Sequence, residues 1–220
     1  CVCVCVSAAT SSCRATRAIP SNQSELLCID AANAFPSLDL DCVVDALREG
    51  CPELLWWFHF TYGGDGALQF DSKGVEYVRA QCLRQGSVLA SLFYAFGAKK
   101  AHDRVNERHA ARNTAHGVGS VGYIDDLTAL GDLEILLKQE EMRKLEDDLA
   151  SAGLKIQMRK MVALTHEREG TPRYLRLKAL ADARGLRLET GAVKVVGAPV
   201  GTNAGVRSQV QKSVTEWKED

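Results

Sequence analysis

No stretch of this chain holds the roughly 18 consecutive apolar residues of a membrane-spanning helix. The N-terminus lacks the charged region and long apolar run of a signal peptide. There is no Cys-x-x-Cys pair and no His at zinc-ligand spacing, so a structural zinc site is not predicted. Net charge is only −1, so no overall basic excess announces a nucleic-acid partner. Internal repeats and low-complexity blocks are absent too. What remains is an ordinary globular composition, 46% hydrophobic and 25% charged. At 220 residues it is long enough for about one large domain with a real core.

Cysteine is the exception to this scarcity, with eight residues. Cys1, Cys3, Cys5 and Cys13 lie in the N-terminal stretch, and Cys28, Cys42, Cys51 and Cys82 follow. Cys28 and Cys42 fall in apolar runs and read as reduced core residues. The Cys-Val-Cys-Val-Cys start could bind a soft metal or form a strand, but reads first as a disordered end. The chain opens on Cys rather than Met, which predicts a fragment of a longer protein.

Residues 1–23 read as a tail, 24–190 as the main domain and 191–220 as a junction with a terminal helix. Residues 25–30 form a short apolar run ending in an acid, the pattern of a buried strand. Helices are predicted over 39–49, with Gly50 as the stop, and over 52–62, with Pro52 in the first turn. Trp56 and Trp57 on that second helix read as core rather than base-stacking residues. Segments 67–70 and 75–78 read as a hairpin around residues 71–74. Val88, Leu89, Leu92, Phe93 and Phe96 mark one face of a long helix running to about residue 110. Another amphipathic helix spans 133–152, ended by Gly153. Segments 154–165 and 174–190 read as strand-rich, and the last 18 or so residues as helical. The order predicts an α+β fold with helices packed on one face of an antiparallel sheet.

The most informative stretch is Tyr123-Ile124-Asp125-Asp126. Apolar runs at 118–124 and 127–130 flank the two acids, so they read as the tip of a β-hairpin. Asp-Asp also opens ordinary turns. Yet adjacent carboxylates repel, and a divalent cation relieves them; oxygen-only ligation suits Mg²⁺ or Mn²⁺. Asp30 closes the first predicted strand, and in an antiparallel sheet that end can lie beside the Asp125–Asp126 tip. Three carboxylates on neighbouring strands can hold two metal ions about 3.5–4 Å apart and carry phosphoryl transfer.

Five motifs then occur in one order. Ile29-Asp30-Ala31-Ala32-Asn33-Ala34-Phe35 comes first, followed by Arg84-Gln85-Gly86-Ser87-Val88-Leu89. Tyr123-Ile124-Asp125-Asp126, Gly153-Leu154-Lys155 with Lys160, and Val196-Gly197-Ala198-Pro199-Val200-Gly201 complete the set. Together the five resemble the palm of a reverse transcriptase, most like those of non-LTR retrotransposons, over roughly residues 25–205. The resemblance implies an RNA-directed DNA polymerase that uses an RNA template, a DNA primer and dNTPs with two Mg²⁺ or Mn²⁺ ions. It implies Asp30, Asp125 and Asp126 as catalytic metal ligands, with the backbone carbonyl of Ala31 completing a shell. It implies Phe35 as a steric gate against the ribose 2′-hydroxyl, although a core aromatic is the plain alternative. Gln85 and Gly86 would lie against nucleotide and template. Lys160 would lie near the phosphates; a solvated charge is its alternative, and Lys155 and Arg159 compete for the role. Nuclear residence is implied by the family's lifestyle.

Lys99, Lys100, Arg104, Arg108 and Arg112 recur at about one helical turn and could track a nucleic-acid backbone. Asp103 and Glu107 interleave, so a solvated helix face fits equally. Arg173, Arg176 and Lys178 form a second basic candidate. The chain departs from the family in several ways. The fingers and thumb are largely missing, no nuclease segment is visible, the second motif lacks the common Pro after Gln-Gly and reads Ser87-Val88-Leu89, and Pro36 follows Phe35. The alternative function is an inactive remnant that at most binds RNA. An RNA-directed RNA polymerase is disfavoured by the bulk of Phe35.

Overall fold

The computed structural model of the chain describes residues 25–63, 67–71, 74–78, 82–84, 86–112 and 120–219. The predicted tail with its four cysteines, the loop residues 72–73 and Gln85 lie outside the described residues. The chain runs β1 (Leu26–Ile29), β2 (Ala31–Ala32), α1 (Ala34–Ser37), α2 (Leu40–Gly50), α3 (Leu55–Tyr62) and the hairpin β3 (Ala67–Asp71) and β4 (Gly74–Val78). The long helix α4 (Ala90–Arg112) leads to β5 (Ser120–Tyr123) and β6 (Asp126–Leu130). Then come α5 (Leu133–Leu136), α6 (Gln139–Ala150), β7 (Lys155–Ile156), β8 (Val162–Leu164), α7 (Pro172–Asp182) and β9 (Arg187–Glu189). The hairpin β10 (Ala192–Val195) and β11 (Ala198–Gly201) and helix α8 (Asn203–Glu219) close it.

Five strands form the main sheet in the order β5-β6-β1-β8-β9. All its pairs are antiparallel except the edge pair β8–β9, which is parallel. Strand β1 is central, and its side chains alternate between two cores, as the period of two requires. Leu27 and Ile29 join Leu127, Ala129 and Ala163 against the helices, where Val43, Leu47, Phe93 and Val105 are wholly buried. Leu26 turns the other way, to Leu130, Leu164, Val193 and Val195 under the β10–β11 hairpin. The α+β palm with its helix layer on one sheet face is therefore as expected. Cys28 and Cys42 are reduced thiols, though only half-buried.

Three expectations need correction. The segment 174–190 is not mainly strand: α7 occupies its first half. Thr171 caps that helix by accepting the Tyr174 N–H at 3.2 Å, Pro172 starts it, and Leu177 and Ala181 form its buried face. The predicted helix 133–152 breaks into α5 and α6 around Leu137 and Lys138. Trp56 and Trp57 are not core; they are 63% and 48% exposed, because Phe58 and Tyr62 take the inward face of α3 and meet Phe93 edge-on.

A buried charge cluster fixes the far end of β1. Glu25 is 4% exposed. Its carboxylate accepts both Arg173 Nη atoms at 3.0 and 2.9 Å, the Thr165 hydroxyl at 2.6 Å and the Leu133 N–H at 2.9 Å. The pair is bidentate and its lone pairs are filled, the geometry in which a buried ion pair holds. Glu25→Ala is expected to lower unfolding free energy by about 3 kcal/mol, since Arg173 loses its fork partner. Urea denaturation measures this, and a loss near zero would contradict the assigned role.

Candidate active site

The register of β1 on β6 decides where the acids stand. Cys28 pairs with Thr128 and Ile29 with Leu127, so Asp30 follows on opposite Asp126. Alternation then sets Asp30 with Cys28, and Asp126 with Thr128, on the sheet face away from the helices. Strands β5 and β6 pair up to Tyr123 and Asp126, leaving Ile124-Asp125 as a two-residue turn. Only the first of these has positive φ, 54° at Ile124, the sign pattern of a type II′ hairpin. The anticipated hairpin is present, but its tip is Ile124-Asp125 rather than Asp-Asp, and Asp126 begins the strand.

Burial, then the Asp125 charge, then that of Asp30 push the Asp126 carboxyl above its ordinary range. Asp30 Oδ2 is buried, has no hydrogen-bond partner, and lies 3.7 Å from Lys160 Nζ. The strand end is held by β2 on β7, with Ala31 opposite Ile156, and by the Gln157 N–H donating to the Asp30 carbonyl at 2.8 Å. Among the described residues, no three potential ligating side chains already converge into a metal cluster. The donor set nonetheless fits a hard divalent cation: oxygen donors only, one of them orphaned and buried, and mutual repulsion at Asp126.

Asp30 and Asp126 open onto a cleft of about 570 Å³ between the sheet and the β10–β11 and α8 segment. Lys160, Arg187, Lys194 and Lys212 also line it. The last three are cations that the sequence reading missed. Lys194 was legible, because Val193 and Val195 are buried and alternation leaves it facing the cleft. Arg187 and Lys212 carried no local signal. Cys28 is on the cleft floor, its thiol pushed up to about 11, chiefly by burial.

Other expected site residues lie elsewhere. Phe35, half-buried on α1, has its ring centroid 4.9 Å from that of Tyr94. Gly86 is exposed with φ 87°, a conformation that suits glycine. The basic face of α4 is not brought to the acids. Lys99 pairs with Asp103, Lys100 with Glu49 of α2 at 2.7 Å, and Arg108 with Asp148 of α6. Arg108 is only 16% exposed in that pair, so its guanidinium straps two helices and is withdrawn from solvent. Arg104 is exposed on the same helix layer, across the sheet from Asp30 and Asp126. Of the second basic candidate, Arg173 is bound to Glu25, Arg176 to Glu134 and Lys178 to Asp182.

The profile of the family described as reverse transcriptase (RNA-dependent DNA polymerase) matches residues 7–199. The chain belongs to that family. No curated protein sequence matches it. Among solved structures, the telomerase of Candida tropicalis in complex with a TWJ fragment of telomeric RNA is 13% identical, with a TM-score of 0.50. The similarity covers 73% of this chain and 29% of that one. The apo telomerase of Candida tropicalis truncated from its C-terminal domain is 10% identical (TM-score 0.46; 92% and 38% covered). The telomerase of Candida albicans in complex with the TWJ fragment is 12% identical (TM-score 0.47; 91% and 32% covered). At such identities the first likeness shows shared fold, and this reverse transcriptase chain spans well under half of those proteins. Its fold carries no helix, among the described residues, long and apolar enough to cross a membrane.

One glycine supports the acidic end of this reverse transcriptase sheet. Gly153 has φ +79°, and a Cβ there would fall 2.5 Å from the Ser37 carbonyl oxygen and 3.1 Å from the Asp39 nitrogen. Both neighbours are backbone and cannot swing aside. Gly153→Ala is expected to cost roughly 2–3 kcal/mol from αL strain and the clash combined. Thermal melting checks it; an unchanged Tm would mean the loop yields freely.

Proposed function

We propose that this chain is the catalytic palm of a retroelement's RNA-directed DNA polymerase, of the non-LTR kind. In this reading residues 24–190 form the palm with part of the fingers, and 191–220 its junction to a thumb. The observation that carries it is the meeting of Asp30 and Asp126 across β1 and β6, with Asp125 on the adjoining turn, at the mouth of a cation-lined cleft. Such an arrangement of like charges is unfavourable alone and suited to a divalent cation. Reverse transcriptases generally use such ions. Asp30, Asp125, Asp126 and the Ala31 carbonyl would hold two Mg²⁺ or Mn²⁺ ions. When bound, these supply Lewis acidity for attack of a primer 3′-hydroxyl on the dNTP α-phosphate and for departure of pyrophosphate.

The chain's own groups do the rest. Lys160 lies 3.7 Å from Asp30 and would be free to reach the phosphates if a cation held that carboxylate. Arg187, Lys194 and Lys212 supply positive potential along the cleft for a template–primer backbone. Lys99, Lys100 and Arg104 are left to more distant parts of the RNA. Phe35 closes the space beside the sugar, and the family resemblance sets Gln85 and Gly86 against nucleotide and template. Nuclear residence goes with this retroelement reading.

Primer extension on an RNA template with Mg²⁺ or Mn²⁺ tests the proposal. Extension by the parent chain, reduced by roughly two orders of magnitude or more in Asp125→Asn, is expected. Full extension by Asp125→Asn overturns it. Inactivity of the parent even with its flanking segments restored would favour an inert remnant instead.

A stability readout accompanies this. Because the folded chain raises the Asp126 carboxyl, it binds that proton more tightly than the unfolded chain does. Ion-free stability therefore falls as pH rises through the Asp126 titration. Asp126→Asn removes that loss, so at neutral pH its ion-free Tm is expected to exceed the parent's while extension disappears. A lower Tm would show that the carboxylate is stabilising rather than strained.

Phe35→Ala is expected to admit ribonucleotides, raising rNTP relative to dNTP incorporation by at least about tenfold. Unchanged rNTP rejection in an active variant would remove the gate assignment.

A further inference from the structure

Helix α3 leaves its largest side chains in solvent. Trp56, Trp57 and Phe60 are 63%, 48% and 72% exposed. A helix apolar on nearly every side is normally covered on every side. Here Phe58 and Tyr62 hold one face of α3 against Phe93, so the helix cannot turn its other face inward. The outer rings touch one another instead. Trp56 lies nearly parallel to Phe60, with centroids 5.5 Å apart and planes at 12°, and edge-on to Trp57 at 4.9 Å. At typical aromatic side-chain areas the three leave roughly 400 Å² of apolar surface open. Contiguous patches of about that size commonly mark interaction sites.

Charge selects the occupant. The single turn Pro52–Leu54 runs directly into α3, which sets Glu53 one helical turn before Trp56 and Trp57 and on the same face. Glu53 is exposed and forms no ion pair with any described residue; its carboxylate accepts from the Cys51 thiol at 3.4 Å. Residues 51–62 include no lysine or arginine. A nucleic-acid strand is held by cations beside its stacking rings, and this segment supplies none. A second copy of the same face brings no cation either, and a two-fold contact of these rings buries only roughly 800 Å² in total, the size of a crystal contact. The complement of three aromatic rings beside a carboxylate with no cation is an apolar surface that carries a guanidinium. Such a group pairs with the carboxylate and stacks on indole faces.

We infer that α3 is an interaction surface for a partner protein: it receives a basic amphipathic helix whose apolar side chains cover Trp56, Trp57 and Phe60 and whose arginine meets Glu53. Groups spaced at one turn along α3 match side chains spaced at one turn along such a helix. The face belongs to the helix layer and makes no use of the acidic cleft, so the inference stands apart from the polymerase reading.

Fluorescence anisotropy tests this with two labelled helical peptides, one built from leucine and arginine, the other with glutamate in place of each arginine. Both are titrated into the whole chain and its Trp56→Ser, Phe60→Ser and Glu53→Lys variants, and each protein is melted. The parent is expected to bind the arginine peptide about tenfold more tightly than the glutamate peptide, and Glu53→Lys to reverse that order. Trp56→Ser and Phe60→Ser are each expected to weaken arginine-peptide binding about tenfold without lowering Tm. Equal affinity for that peptide in the parent and Trp56→Ser, or in the parent and Glu53→Lys, overturns the inference, as does a parent that does not bind it. A lower Tm in both serine variants also overturns it, because the rings would then be packed within the fold. Sedimentation and a labelled oligouridine strand complete the test. Self-association of the parent that is lost in Trp56→Ser overturns the inference in favour of a second copy. Oligouridine binding lost in the same variant overturns it in favour of a nucleic-acid strand.

Discussion

Everything at the acidic end depends on the register of two strands. With Cys28 opposite Thr128, Asp30 and Asp126 share one face and the apolar partners Ile29 and Leu127 share the other. A slip of one residue would exchange these sets and drive a carboxylate into the helix core. The register is held from both ends. The Glu25–Arg173 cluster joins the start of β1 to α7 and to the start of α5. The two-residue turn at Ile124-Asp125 fixes β6 against β5, and the Ser120 N–H donates to Asn106 of α4 at 3.1 Å. Gly122 presses on His102, where an added Cβ would come within 2.7 Å of Nδ1. Stability is thus concentrated away from the acids, which is what allows the acids to be unfavourable.

The distribution of cations follows from the same two-sidedness. On the helix layer, the cations of α4 that form ion pairs face acids of α2, α6 or their own helix, and these charges are locally cancelled. On the cleft side, Arg187, Lys194 and Lys212 form no ion pair with any described residue. A net charge near zero therefore conceals an uneven distribution: paired charges on one face of the sheet, and on the other four cations, Lys160, Arg187, Lys194 and Lys212, around three carboxylates, Asp30, Asp126 and Glu189. Field lines focused in such a cleft favour a polyanion there.

That unevenness explains what the sequence could reveal. Motifs carried by consecutive residues, such as Asp30 to Phe35 and Tyr123 to Asp126, were legible because the acid, the strand and the turn are local. The long helix was legible from periodicity. On α4, Lys100 and Arg108 meet partners, Glu49 and Asp148, that are remote in sequence and that only the fold brings to them. Arg187 and Lys212 were invisible for the converse reason: each is an ordinary surface cation until the edge strand β9 and helix α8 place it over the cleft. Trp56 and Trp57 misled through hydrophobicity without direction, since α3 is apolar on nearly every side and one face had to be left out.

Backbone strain supplies an argument that side-chain chemistry does not. Among the described residues, three non-glycines have positive φ: Asn33 at 48°, Ile124 at 54° and Val196 at 49°. Asn tolerates this conformation, whereas β-branched Ile and Val are outliers there. All three fall in turns of the motifs that surround the cleft: after Asp30, before Asp125, and at the β10–β11 tip. Glycine at 124 would remove the strain but also the side chain that packs on the core behind the turn. Such residues persist only where the surroundings over-determine them, and they gather at functional sites. At Ile124 the surroundings are the core contact inside and the strand ladder on both sides. Together they force the turn that carries Asp125 out beyond the sheet while Asp126 stays within it. Two adjacent carboxylates are thereby separated, one carried by the turn and one by the strand.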